Sequence, residues 1–143
     1  MELCVKTFAQ LTTDQLYDIL QARVGVFVLE QTCPYQDLDG MDREATHVWL
    51  QDEAGLAAYL RIFALDSTTA KIGRVLTLRR GLGLGSALLA HGIDAVKAMG
   101  GFTSIYIEAQ TYAVGFYEKS GFLTEGQEFL EDGIPHIGMR LKL

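Results

Sequence analysis

The chain reads as a mixed α/β fold, a sheet with helices on its faces, on three observations. Apolar residues recur at helical spacing from Leu16 to Val28 and again from Leu84 to Met99. Short β-branched and aromatic runs bounded by turn residues lie around these two stretches. The apolar run Ile72 to Leu78 leads into Arg80-Gly81-Leu82-Gly83-Leu84-Gly85-Ser86 and then into the second helical stretch, so a strand feeds a glycine turn that opens a helix.

Taken in order, Leu3 to Phe8 alternates as a first strand, and Thr13-Asp14 caps a helix that carries Leu16, Ile19, Leu20, Val24, Phe27 and Val28 and ends before Cys33-Pro34. Gln36 to Ala45 is polar and turn-rich. His47 to Leu50 and Leu56 to Leu65 form a hairpin across Asp52-Glu53-Ala54-Gly55, and Lys71 to Leu78 is the central strand. The helix Leu84 to Met99 is stopped by Gly100-Gly101. Thr103 to Ala109 is a strand, Ala113 to Ser120 a short helix, and Phe122 to Phe129 and His136 to Leu141 are strands joined through the turn Asp132-Gly133. The expected order is β-α-β-β-β-α-β-α-β-β.

With 143 residues, 49% of them apolar and 21% charged, the chain is expected to form one domain spanning 1–143. It has no long apolar span and no basic leader followed by an apolar core, so a cytoplasmic protein that engages no membrane is expected. Cys4 and Cys33 fit neither a disulfide framework nor a zinc pattern. Cys33 before Pro34 reads as a buried structural thiol or a reactive one. A net charge of −6 argues against nucleic acid as a partner.

The charge is unevenly distributed. Between Ser67 and Ile93 lie Lys71, Arg74, Arg79 and Arg80 and no acidic residue, so positive charge gathers at the glycine turn. Between Glu30 and Glu53, Glu30, Asp37, Asp39, Asp42, Glu44, Asp52 and Glu53 face Arg43 alone; this is either a solvated loop or a border that favours a cationic substrate. Asp37-Leu38-Asp39-Gly40-Met41-Asp42 fails the calcium-loop template, which needs glycine at the sixth position and glutamate at the twelfth.

A glycine turn opening a helix presents unpaired N–H groups to an anion, so the segment suits a phosphorylated ligand. A nucleoside-triphosphate loop would need Gly-Lys-Ser/Thr, whereas Gly85 is followed by Ser86-Ala87. A dinucleotide fingerprint would use Gly81, Gly83 and position 86, which is serine, with Glu108 as the ribose ligand. The preceding strands read as antiparallel, which does not suit that fingerprint's parallel unit.

Arg80-Gly81-Leu82-Gly83-Leu84-Gly85, followed by Phe116-Tyr117-Glu118-Lys119-Ser120-Gly121-Phe122, resembles the GCN5-related N-acetyltransferases, the GNAT superfamily. Val26 to Tyr35, Asp37, Asp39 and the tail Glu131 to Met139 resemble its ElaA-like subgroup. The resemblance implies an acyl-CoA N-acyltransferase fold, a mixed and mostly antiparallel sheet with a splayed central strand pair and flanking helices. It implies transfer of an acetyl group from acetyl-CoA to a primary amine of a small molecule or protein, by direct attack and without a metal. A CoA-binding module without catalysis is the alternative.

On that resemblance, backbone groups of Val75, Leu76 and Thr77 would hold the pantetheine arm, with donors near Val75 and Leu76 facing the oxyanion. Gly81, Leu82, Gly83, Leu84, Gly85 and Ser86 would bind the pyrophosphate, assisted by Arg80. Arg79 would serve the CoA 3′-phosphate or face solvent. Tyr117 would protonate the departing thiolate. Gln110 stands where the family has asparagine and would still contact the cofactor. Glu108 is the leading catalytic base, with Glu30 beside it; His47 and His136 titrate near neutrality but equally suit structural hydrogen bonds. Tyr112 reads as a packed or exposed aromatic. Arg74 would pair with Glu108 or Glu30, or meet substrate. A homodimer is implied by the resemblance alone.

Overall fold

A computed structural model describes the whole chain, Met1–Leu143. Strand β1 (Glu2–Thr7) leads into helix α1 (Thr13–Arg23). The cap is Thr12 rather than Thr13-Asp14, because Gln15 lies three residues after Thr12 and closes a reciprocal pair: Gln15 N–H donates to Thr12 Oγ1 at 3.1 Å and Thr12 N–H to Gln15 Oε1 at 3.0 Å. The helix does not stop at Arg23 but widens into π-helical turns over Val24–Glu30. Such widening rotates the side chains that follow, and Val26, Phe27 and Glu30 all face the cleft described below.

Strands β2 (Thr46–Asp52), β3 (Gly55–Ala64) and β4 (Thr69–Thr77) form an antiparallel meander. Helix α2 (Leu84–Met99), strand β5 (Ser104–Gln110), the short helix α3 (Val114–Glu118) and the hairpin β6 (Leu123–Glu131) and β7 (Ile134–Lys142) complete the chain. Every expected element is present in the expected order. Its ends shift by up to three residues where pairing with a neighbour, rather than local composition, sets the limit. The sheet runs β1-β2-β3-β4-β5-β7-β6, and only β4 and β5 are parallel.

Side chains alternate across the sheet, and the two faces hold separate cores. Val48, Leu60, Ile62, Ile72 and Ile107 point to the face covered by Leu88, Leu89 and Val96 of α2. Trp49, Tyr59 and Leu76 point the other way, against Ile19, Ala22 and Val26. Gly92 lets α2 lie close on β3: a Cβ there would come within 2.8 Å of Leu60 Cδ2. No helix is long and apolar enough to cross a membrane.

Candidate active site

The parallel pairing of β4 with β5 extends only from Thr69 to Lys71 on one strand and Ser104 to Tyr106 on the other. Beyond that point the two strands part, and each leaves an unpartnered edge of backbone N–H and C=O groups. The gap between them is a cleft of about 1140 Å³, walled by Gly73 to Thr77 on one side and Ile107 to Gln110 on the other.

Just past the fork β4 carries a bulge. Tyr59 pairs with Leu76 and Arg61 with Gly73, so Leu60 alone stands opposite both Arg74 and Val75. Arg74 has φ +53°, the left-handed region, which costs an L-residue roughly 1–2 kcal/mol. It is held there by Asp37: Arg74 Nε–H donates to Asp37 Oδ1 at 2.9 Å and Nη2–H to the Asp37 carbonyl at 3.0 Å, while the guanidinium lies 5.5 Å from the centre of the Tyr35 ring. The expected partners of Arg74 are engaged elsewhere, Glu108 by Lys71 and Glu30 by Arg80.

At the end of β4 the glycine turn forms a second, smaller depression of about 230 Å³ lined by Gly81, Gly83, Leu84, Gly85 and Ser86; it shares Thr77 and Arg80 with the cleft. Gly83 caps α2 in the left-handed conformation, φ +68°, and α2 opens with its free N–H groups at this depression. Leu82, expected among the ligand-binding residues, is 63% exposed and does not line the depression. Arg79, left open between phosphate and solvent, pairs with Asp52.

Tyr117, on α3, is buried and lines the cleft. Its hydroxyl makes no hydrogen bond within the protein, and burial, with a smaller contribution from Tyr112, pushes its pKa up to about 12. Tyr112 itself is 81% exposed. Glu108 faces the same cleft, ion-paired with Lys71, and Gln110 donates to Gln31 Oε1 at 3.2 Å. His136, directly opposite Gln110 on β7, donates from Nδ1 to the Ile134 carbonyl at 2.7 Å. That carbonyl requires a proton on Nδ1, and Nε2 lies 3.7 Å from Glu131 Oε2. Cys33 is a buried thiol whose Sγ sits 3.5 Å from the Asp132 carbonyl, which joins the segment after α1 to the β6–β7 turn.

The acidic segment does not present a field for a cation. Arg23, fully buried, binds Asp37 at 2.9 Å and Asp42 at 2.6 Å; Arg61 binds Asp42 at 3.0 Å and Asp39 as well. With Arg74 on Asp37, three aspartates are matched by three arginines, and Glu30 and Asp52 are paired too. Of the seven acidic residues counted in this segment, only Glu44 and Glu53 have no ion-pair partner in the protein. Hints were present in the sequence: Arg23 lies on a largely apolar helix, and Arg61 sits in the middle of an apolar strand, where a charge needs a partner.

His47 is not in the cleft. It is fully buried, with Nε2–H donating to the Asp42 carbonyl at 3.0 Å and Nδ1 accepting from the Tyr59 hydroxyl at 2.7 Å. Burial holds its pKa below the ordinary histidine value. The unfolded chain takes up this proton near pH 6.5 and the folded chain only lower, so the stability it contributes is complete above about 6.5 and falls as pH drops below it. Asp39, bonded to Arg61, and Asp42, whose burial is outweighed by Arg23 and Arg61, are both held below the usual carboxylate range, so their contribution is lost only below about pH 4. Melting temperatures measured from pH 8 to 3 should therefore fall in two stages, with His47→Gln removing the first.

A family model described as an acetyltransferase (GNAT) domain matches residues 15–143. The chain belongs to the GNAT family. Protein ElaA of Escherichia coli is 39% identical over 139 residues, covering 92% of this chain and 90% of that protein. The crystal structure of ElaA from Escherichia coli superposes with a TM-score of 0.91 at 35% identity, covering 97% of both chains. An acyl-CoA N-acyltransferase from Pseudomonas aeruginosa superposes with a TM-score of 0.91 at 36% identity, covering 98% of this chain and 99% of that one. The chain is thus an ElaA-like GNAT protein with the acyl-CoA N-acyltransferase fold, and the splayed strand pair expected from the resemblance is the fork between β4 and β5. The dinucleotide alternative falls with this assignment; its ribose ligand, Glu108, is bound to Lys71.

Proposed function

We propose that this GNAT protein transfers the acetyl group of acetyl-CoA to a primary amine of a small molecule or protein, by direct attack and without a metal. The observation that carries the proposal is the fork itself: an unpartnered strand edge beyond a bulge, leading straight to a helix N-terminus, with a buried tyrosine in the same cleft. An extended, amide-bearing arm ending in a pyrophosphate matches that sequence of donors and acceptors. Val75, Leu76 and Thr77 would bond the arm; Gly81 to Ser86, with Arg80, would hold the pyrophosphate. A backbone donor near Val75 or Leu76 aimed at the developing oxyanion would contribute about 3–4 kcal/mol.

Tyr117 would donate a hydrogen bond to the departing sulfur as the C–S bond breaks and the thiolate forms, its hydroxyl keeping most of the proton. Glu108 reaches the cleft but is engaged by Lys71, an ion pair that would have to open before it could take a proton; in the proposal the two together shape the acceptor end. His136 Nε2 carries no lysine or arginine partner and would take the proton of the incoming ammonium, with Glu131 beside it to steady the imidazolium. His136→Gln should lower kcat/KM by roughly 10²-fold near neutral pH, and less as the assay pH rises and the amine loses its proton unaided. Two free cysteines suit a reducing, cytoplasmic setting.

The test is release of free thiol from acetyl-CoA across a panel of small amines, peptide N-termini and lysine peptides. Turnover on at least one acceptor supports the enzyme. Tight CoA binding with no turnover on any of them supports the non-catalytic module instead.

A further inference from the structure

We propose that Arg74 is a positioning residue: its side chain, gripped by the loop that carries Tyr35, Asp37 and Asp39, holds the β4 bulge in the form that presents the strand edge at Val75 and Leu76 to the acyl donor. The inference rests on the proposed use of that edge for acyl-CoA. A bulge whose first residue is left-handed ordinarily has glycine there. This chain has glycine one residue earlier, at Gly73, and arginine at the left-handed position, φ +53°.

Such a conformation persists only where its surroundings over-determine it. Here they do. Arg74 makes two bonds to Asp37, through Nε at 2.9 Å and Nη2 at 3.0 Å, and a third contact to Asp39 Oδ2 at 3.4 Å. Asp37 is itself fixed from behind, by Arg23 Nε at 2.9 Å and by the Tyr35 hydroxyl, which donates to Oδ1 at 2.8 Å. The far end of this chain of contacts is buried, since Arg23 has no exposed surface. The loop therefore acts on the strand through one side chain, and the bulge is set by a contact 37 residues away in sequence rather than by local preference.

The test separates the backbone effect of Arg74 from any direct contact with ligand. Arg74→Ala loses the grip but keeps the cost of the left-handed backbone; Arg74→Gly loses the grip and the cost together. Coenzyme A is titrated calorimetrically into the wild type and both variants at 10 °C, after melting curves have confirmed that each is folded at that temperature. The expected result is an affinity at least tenfold weaker for Arg74→Ala and within threefold of wild type for Arg74→Gly. Should the alanine variant bind as the wild type does, the bulge needs no grip and the proposal is overturned. Equal weakening of both variants also overturns it, because the guanidinium would then be acting on the ligand directly. Should the wild type itself bind no coenzyme A, the failure belongs to the acyl-CoA reading and not to Arg74; the grip is then judged by whether glycine recovers the melting temperature lost in alanine, and no recovery overturns it.

Discussion

Tyr117→Phe is expected to lower kcat roughly 10²-fold and to leave coenzyme A affinity and melting temperature nearly unchanged. The ring is what packs: it lies edge-on to Phe116 and Phe122, with centroids 5.0 and 5.9 Å away, and phenylalanine keeps both contacts. The hydroxyl is what would act. Because burial lifts it to about 12, it stays protonated across the ordinary range of pH and would be ready to donate throughout. The same shift limits its strength. A thiolate with an ordinary pKa of about 8.5 is too weak a base to take that proton outright, so in the proposed role the hydroxyl would act mainly as a hydrogen-bond donor to sulfur as charge develops there. A hydrogen bond to a charged group is worth about 1.5–3 kcal/mol, or some 10- to 150-fold in rate, which favours the lower part of the 10²–10⁴ range for general acids. Thiol release under saturating acetyl-CoA, with wild type and variant side by side, measures it; equal rates would remove Tyr117 from the chemistry.

The largest effect on stability is expected at Arg23. Replacing it with methionine keeps much of the volume and removes the guanidinium from between Asp37 and Asp42. Asp42 keeps Arg61 and Asp37 keeps Arg74, yet each loses its most deeply buried partner. Breaking a buried pair from one side costs about 3–5 kcal/mol, because the charge left behind is still desolvated. For a chain of this size that corresponds to a fall in melting temperature of roughly 10–20 °C. The double variant Arg23→Met, Asp42→Asn should recover part of the loss, since it removes one of the stranded charges. A calorimetric scan showing no fall in the single variant would mean that water reaches these carboxylates when the cation is gone.

The order of strands and helices was legible because each depends on short-range periodicity that the core then uses directly: Val48, Leu60 and Ile62 on one face and Trp49 and Tyr59 on the other alternate as the sequence does. The glycine turn was legible because its backbone demands are local. The acidic segment was misread for the opposite reason. Asp37, Asp39 and Asp42 look the same in sequence whether water or arginine faces them, and their partners are contributed by α1, β3 and β4. The bulge was invisible because nothing at Arg74 favours a positive φ. Among the candidate bases, Glu108 is set apart by its ion pair with Lys71 and His47 by its burial outside the cleft, neither of which is marked in the sequence.

On the proposed reading, the fork between β4 and β5 would also set how the protein discriminates among acyl groups. Each wall of the gap is tied along its outer side, β4 to β3 and β5 to β7, so moving either wall means moving the strand paired with it. The width open to an acyl chain there would therefore be set by the sheet more than by any loop. A slot walled by paired strands would need little ordering to bind a donor, and a bulkier donor would have to displace a whole strand rather than a loop. The sheet works as a gauge, and changing which acyl group passes would require new side chains along its walls rather than a more flexible loop above them.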